Sequence, residues 1–567
     1  MKMPWVRSKM LWTGRIGWVV LLAAFLIPLR SQAQTLVLQG GTVIDGTGKA
    51  PITNAVVVVQ GNRITAVGSQ GQVTVPQNAK IIKTDGQTIL PGLIDGHIHL
   101  FSTYQPEMFL HYGVTTIGDL NNDTSWVLLQ RQDLSSGKIK GPRLFSSCIA
   151  FGGPSSVTNT QSRVVIQALR NPEQARAFVR ELKAAGCDVI KTDYSLTYDE
   201  IAATIDEATK LGLTVVGHTQ NIRLASALGH KYMEHTNTLA WAIIAEMPPD
   251  KQPKDGCSWP DCGSPEQFID MSLMPAMVKL LIDRGVYVNP TLVSHGINEG
   301  RWRNPPERSK EWVQEGEEAL KDPVLRSIVP VKIQEMWTKS TEGPSPDAEG
   351  YQKVQEFLRQ FAAAGGKIVA GTDETGDEGT IPGISLHNEM QLLVDAGVPP
   401  MKAIQAATLW SAESIGQGKN LGSVEPGKLA DFTIIEGNPL DDIAVTKNLK
   451  MVIKDGQVMD TSYDPHAITA VPRPFGSYPI ISGVTPPVTK QGAGDLTIQV
   501  DGVRFNPKTV VRFDNTDLKT QFVSPTKLTA VISSNLLENA GSYSVYVLNP
   551  GASGSPSNAI YLLIDSN

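Results

Sequence analysis

Cysteine and histidine are scarce in this sequence. Four cysteines in 567 residues are too few for a disulfide-built scaffold. Basic residues are not in excess, and the formal charge of −6 offers no electrostatic footprint for nucleic acid. Beyond the first thirty residues no apolar run is long enough to span a membrane. No long low-complexity tract interrupts the chain. What remains is a globular protein too long for one hydrophobic core, with roughly two to four domains expected.

The one long apolar run lies at the start. Lys2, Arg7, Lys9 and Arg15 precede a stretch from Ile16 to Leu29, and Ser31-Gln32-Ala33 follows. A basic start, a short apolar centre and a small-x-small end read as a secretory signal peptide over 1–33, cleaved to leave Gln34. An uncleaved anchor is the alternative, but the run is short for a span. Any cysteine that would mark a lipoprotein is absent after Ala33. Without residues 1–33 the balance is 45 basic to 56 acidic residues, a net −11. The expected location is extracytoplasmic, periplasmic or secreted. An oxidising compartment leaves a Cys257–Cys262 staple open in the turn-rich "KDGCSWPDCGSP". Cys148 and Cys187 sit in apolar, strand-like segments and read as free, buried thiols.

The texture then changes along the chain. Residues 34–90 read as short strands separated by turn signals such as Gly61-Asn62, the first half of a small β-sandwich. Over 91–414, short apolar runs alternate with helical patterns such as "PEQARAFVRELKAAG" and "TYDEIAATIDEATKLG". Eight runs qualify as strands: "LPGLIDGHIHL", "GVTTIGDL", "PRLFSSC", "CDVIKTDY", "LTVVGHTQ", "KYMEHTN", "GVYVNPTLV" and "KIVAGTDE". That alternation predicts an α/β fold, a (β/α)8 TIM barrel. Residues 415–461 return to β and complete the sandwich, so the barrel is an insertion in it. A linker with prolines and a glycine follows over 462–477. Residues 478–567 alternate polar and apolar, as a C-terminal all-β immunoglobulin-like sandwich does.

Against this frame the few histidines are not scattered. His97 and His99 close the first barrel strand two residues apart, so both side chains share one face. The carboxyl ends of barrel strands line the mouth where active sites form. His218 and His235 fall at the ends of the fifth and sixth strands, Lys191 at the fourth and Asp373 at the eighth. Imidazoles and a carboxylate converging on one mouth point to a divalent metal site. Other histidines carry weaker signals. His111 precedes a strand and reads as structural. His230 starts the sixth strand, at the end away from the mouth. His295 follows the seventh strand and Tyr194 follows Lys191, so both are candidates to touch substrate. His387 and Glu389 lie beyond the eighth strand and either shape the pocket or pack. His466 lies in the linker, and the final domain holds no histidine.

The set "PGLIDGHIHL", "DVIKTDY", "VVGH", "MEHT" and "GTDE" resembles the amidohydrolase superfamily, near its imidazolonepropionase-like and prolidase-like members. "SLHNEMQLLVDAGVPPMKAIQAAT" and "LGSVEPGKLADFTIIEGNPLDDI" are similar to that family's tail, and the likeness covers about 35–460. The resemblance implies two divalent metal ions, zinc being the first expectation. His97, His99 and Asp373 would hold the more buried ion, and His218 and His235 the second. A carbamylated Lys191 would bridge them. Carbamylation needs the neutral amine, and nearby cations would favour it. "ISGVTPP", "FVSPTKLTAVIS" and "GSYSVYVLNPG" in the last domain resemble the IPT/TIG family, which leaves a surface or protein partner open.

A metal-activated hydroxide would attack a carbonyl that the metal polarises. Asp373 would be the catalytic residue that takes the nucleophile's proton and hands it to the leaving amine. The expected function is a secreted metal-dependent amidohydrolase acting on C–N bonds of a small-molecule substrate, a dipeptide or N-acyl amino acid. Lactone, ester or phosphotriester hydrolysis on the same binuclear site is the alternative, as is cyclic-amide (imidazolone) cleavage, against which Lys191 counts. An inactive binding protein is disfavoured by the intact set of ligand candidates.

Overall fold

The computed structural model of the chain describes residues 35–566, apart from 154–165, 254–263, 298–305, 340–346, 464–478, 550–556 and positions 103, 377, 515, 558 and 559. The leader, Gln34, the Cys257–Cys262 pair and His466 all lie outside the described residues.

Strands β1 (Thr35–Gln39), β2 (Thr42–Val43), β3 (Ala55–Gln60), β4 (Arg63–Ser69), β5 (Lys80–Lys83) and β6 (Gln87–Pro91) come first. One sheet has the order β4-β3-β1-β5. β6 leaves it and pairs antiparallel with a strand from far down the chain, Phe432–Glu436, along five residues. That strand pairs in turn with Leu449–Lys454. The two sheets enclose one core of Leu38, Val57, Ile89, Phe432 and Ile434, among others. The β texture on either side of the barrel therefore belongs to one unit.

Eight parallel strands follow: β7 (Leu93–Ile98), β8 (Val114–Asp119), β9 (Arg143–Ser146) with its continuation β10 (Ala150–Gly152), β12 (Val189–Thr192), β13 (Thr214–Gly217), β14 (Tyr232–Glu234), β15 (Tyr287–Asn289) and β16 (Lys367–Ile368). An added short strand, β11 (Ile166–Ala168), pairs with β10 at the mouth. Contacts at two seams close the ring. Gly96 donates its amide to Ala370 and a bridge joins Ile98 to Glu374. On the other side Asp188 donates to the Ser146 carbonyl. Gly371 makes the first closure feasible, because a Cβ there would stand 2.6 Å from His97 Cβ. All eight runs read as strands in the sequence are thus strands of the barrel.

The helices around the ring follow their local signals. In Pro172–Ala185, Ala175, Phe178, Val179 and Leu182 recur at helical spacing and are buried. Asn171 caps its start, and left-handed Gly186 (φ 95°) ends it. Thr197 and Glu200 form a reciprocal capping box on Tyr198–Lys210.

The two cysteines read as free thiols are instead joined: Cys148 and Cys187 form a disulfide. The reason is register. The Asp188–Ser146 hydrogen bond sets Cys187 beside the end of β9, and Cys148 turns back at φ 57° where β9 breaks before β10.

Residues from 479 onward form two further sheets, one centred on Leu496–Val503 and Lys527–Ile532, the other on Gly541–Leu548 and Ile560–Asp565. Their core, including Ile498, Val500, Phe513, Leu528, Val545 and Leu562, is their own. Among the described residues no helix is long and apolar enough to cross a membrane.

Candidate metal centre

β7 is buried along its whole length. Its alternation sends Asp95, His97 and His99 to the barrel interior. Asp95, completely buried, accepts from the Thr372 amide and hydroxyl and so ties the base of β7 to the segment carrying Asp373. Burial drives the Asp95 carboxyl up to about 7 against those bonds.

One Asp373 oxygen lies 3.2 Å from His97 Nε2 and 3.0 Å from His99 Nε2, and the other lies 3.9 Å from His235 Nε2. Ligand atoms of His97, His235 and Asp373 all fall within 4.8 Å of one another. Lys191 Nζ is 3.4 Å from His97 Nε2. The His218 and His235 rings are 5.0 Å apart, centre to centre. All six predicted residues line one cavity of about 110 Å³, together with Asn121, Thr192 and Asp193.

Three of the four rings are tethered through Nδ1: His97 to Glu234 at 2.7 Å, His99 to the Asn121 carbonyl at 3.3 Å, His235 to the Thr291 hydroxyl at 2.7 Å. His218 Nδ1 lies 4.0 Å from an Asp193 oxygen. Each Nε2 is thereby left facing inward. The His218 Nε2 is buried with no hydrogen-bond partner, as a nitrogen reserved for a metal would be. Asp373 (φ 52°) and His235 (φ 62°) both hold the left-handed region that non-glycine residues avoid.

The electrostatics suit cation binding. Burial pulls down His97, His218 (to about 4) and His235, keeping the imidazoles neutral, the ligating form. Burial works to raise the Asp373 carboxyl, but His97, His99 and His235 override it and hold it well below the usual range. Lys191 is pulled down too, by burial itself. Its charged neighbours Glu234, Asp373 and Asp193 push the other way. Desolvation, rather than nearby cations, is what favours its neutral amine. A divalent ion fits a donor set of neutral imidazoles, an ionised carboxylate and a lysine leaning to neutrality.

Of the substrate candidates, Tyr194 stacks on His218 at 4.2 Å, and the His295 ring lies 5.2 Å from that of His235. His387, a substrate candidate that the sequence left open between shaping the pocket and packing, does not line the cavity. Its Nε2–H donates to the Tyr112 carbonyl and its Nδ1 meets the Thr446 hydroxyl, which fixes it against the barrel's flank away from the cavity. Glu389 accepts from the amides of Leu292 and Val293 and anchors the short helix that carries His295. His111 bonds the Thr461 carbonyl and stacks on Tyr463, a packing role. His230 is buried against Thr192 and does not line the cavity. Sequence reading passed over Glu234, although "MEHT" shows an acid directly before a ligand candidate.

Known proteins share sequence and fold with this chain over most of its length. An imidazolonepropionase of Alkaliphilus oremlandii (strain OhILAs) is 23% identical over 429 residues, spanning 71% of this chain and 91% of that one. An enamidase of Eubacterium barkeri is 23% identical over 425 residues, spanning 73% and 89%. The fold is shared with a Xaa-Pro dipeptidase crystallised with methionine in its active site, at a TM-score of 0.51 and 23% identity, over 75% of this chain and all of that one. Residues 479–561 match the IPT/TIG domain. Residues 88–459 match the amidohydrolase family model, and the chain belongs to that family.

Proposed function

We propose that the protein is an exported, metal-dependent amidohydrolase that cleaves the amide bond of a dipeptide or N-acyl amino acid. The observation that carries this reading is the convergence of His97, His99, His218, His235, Lys191 and Asp373 on one cavity. His97, His99 and Asp373 would hold the inner ion, His218 and His235 the outer one, and carbamylated Lys191 would lie between. When bound, such ions supply a hydroxide nucleophile near neutral pH and polarise the scissile carbonyl. The chain's own residues do the rest. Asp373, ionised and set among the imidazoles, can accept the nucleophile's proton and return it to the leaving nitrogen. That return matters most for amines, which leave poorly, so retention of such a group favours amide over ester cleavage. Tyr194 lies flat against His218 and edge-on to Trp241 at 5.4 Å, so it would back the ring of a residue that would hold the outer ion. A cyclic amide is the second reading, favoured by the imidazolonepropionase likeness; Lys191 weighs against it.

Export is supported by the leader pattern and by the Cys148–Cys187 disulfide, a bond at home in an oxidising compartment. The decisive test of the binuclear reading is metal analysis. Wild type should carry close to two divalent ions per chain, and Lys191→Ala should lose much of one. Full metal content in that variant would remove the lysine from the site.

A further inference from the structure

We infer that Glu234 is a positioning residue that fixes the tautomer and aim of His97, and that Asn289 holds Glu234 in place. The inference rests on the metal reading of this site. Glu234 ends β14 and is almost wholly buried. One of its oxygens lies 2.7 Å from His97 Nδ1 and 2.7 Å from Asn289 Nδ2. Asn289 ends β15 directly across the ladder from Glu234, so the clamp is built by strand register. A buried carboxylate without partners is costly, so both bonds satisfy a need of Glu234 as well as of His97.

The chemistry leaves one proton arrangement. An ionised carboxylate only accepts hydrogen bonds. Nδ1 of His97 must therefore carry the proton, and Nε2 presents its lone pair to the interior, toward Asp373. His99 and His235 are tethered by uncharged groups, a peptide carbonyl and a hydroxyl, and the Asp193 carboxylate stands 4.0 Å from His218 Nδ1. Space is reserved for the arrangement: a Cβ on Gly371 would fall 2.5 Å from Asn289 Nδ2. In an unbroken strand Glu234 and His235 would face opposite ways. The φ of 62° at His235 breaks that alternation, so the two adjacent residues both reach the space around His97.

The test measures cobalt(II) affinity by chelator competition, with the visible d–d spectrum of the full chain as a second readout. Glu234→Ala should bind about 10- to 100-fold more weakly than wild type, with an altered spectrum. Glu234→Gln keeps an oxygen that can accept from Nδ1, so it should retain most of the affinity. Asn289→Ala should fall between. Wild-type affinity and spectrum in Glu234→Ala would overturn the inference. A Gln variant as weak as the Ala variant would also overturn it, because charge and not the hydrogen bond would then govern the site. If Glu234→Ala fails to fold, Asn289→Ala decides, and an unchanged affinity there counts against the clamp. Wild type that binds no cobalt would instead defeat the metal reading itself.

Discussion

At the residue scale, Asp373 and His387 make separable predictions. Asp373→Asn keeps the shape of the side chain but not its basicity. It should fold and lose about 10²- to 10⁴-fold in kcat, the range of a general acid–base contribution; turnover at the wild-type rate would exclude the proton-transfer role. His387 tests pH linkage away from the candidate ligands. Burial depresses it from 6.5 to about 4. The unfolded chain therefore takes up the proton first, and the stability it contributes is complete above pH 6.5 and is lost as pH falls toward 4. Denaturant titrations of wild type and His387→Gln should diverge above pH 6.5 and converge at lower pH; a constant gap across that window would contradict the assignment. How much of the site was legible follows from the same residues. His97 and His99 could be read because a strand's two-residue period is visible in sequence. Lys191, His218, His235 and Asp373 could be read because each closes an apolar run. Glu234 was passed over although it directly precedes His235, because in an unbroken strand adjacent residues face opposite ways, and the left-handed His235 breaks that rule. His387 stayed open between pocket and packing in the sequence, because only the tertiary fold sets that side chain against the Tyr112 carbonyl and the Thr446 hydroxyl.

At the scale of elements, the barrel was legible strand by strand, while the bonds between neighbouring strands were not. Cys148 and Cys187 illustrate this. Their sequence separation of 39 residues says nothing of contact. The offset between β9 and β12 brings them together, and such offsets are properties of a closed barrel. Left-handed non-glycine residues follow β8, β9, β14, β15 and β16, at Asn121, Cys148, His235, Thr291 and Asp373. Each lies where its strand's carboxyl end meets the mouth. Local strain is thus gathered where the donors must be aimed, and the buried strands beneath hold it. The disulfide ties the end of β9 to the segment leading into β12, the strand that carries Lys191. A Cys148→Ser/Cys187→Ser variant should lose about 2–4 kcal/mol of stability, read as a lower Tm on non-reducing scans; an unchanged Tm would show that the bond adds nothing to the barrel.

At the scale of the whole molecule, the chain combines a split sandwich, a barrel inserted in it and a terminal domain with a separate core. That separation predicts that removing residues 478–567 leaves kcat unchanged, and a folded truncated enzyme with lost turnover would show that the domain reaches the site. Exported protein should begin at Gln34, which N-terminal mass spectrometry reads directly; an intact Met1 terminus would contradict export by cleavage. The central claim is metal-dependent amide hydrolysis, and one side-by-side measurement tests it most directly. The enzyme is stripped with chelator, reloaded with zinc, and assayed against dipeptides, N-acyl amino acids, small esters, lactones and phosphotriesters. The account predicts negligible activity before reloading and the highest kcat/KM afterwards on a dipeptide or N-acyl amino acid. A lactone, ester or phosphotriester ahead by more than about tenfold, some 1.4 kcal/mol of transition-state stabilisation, would contradict it, as would full activity in the stripped enzyme.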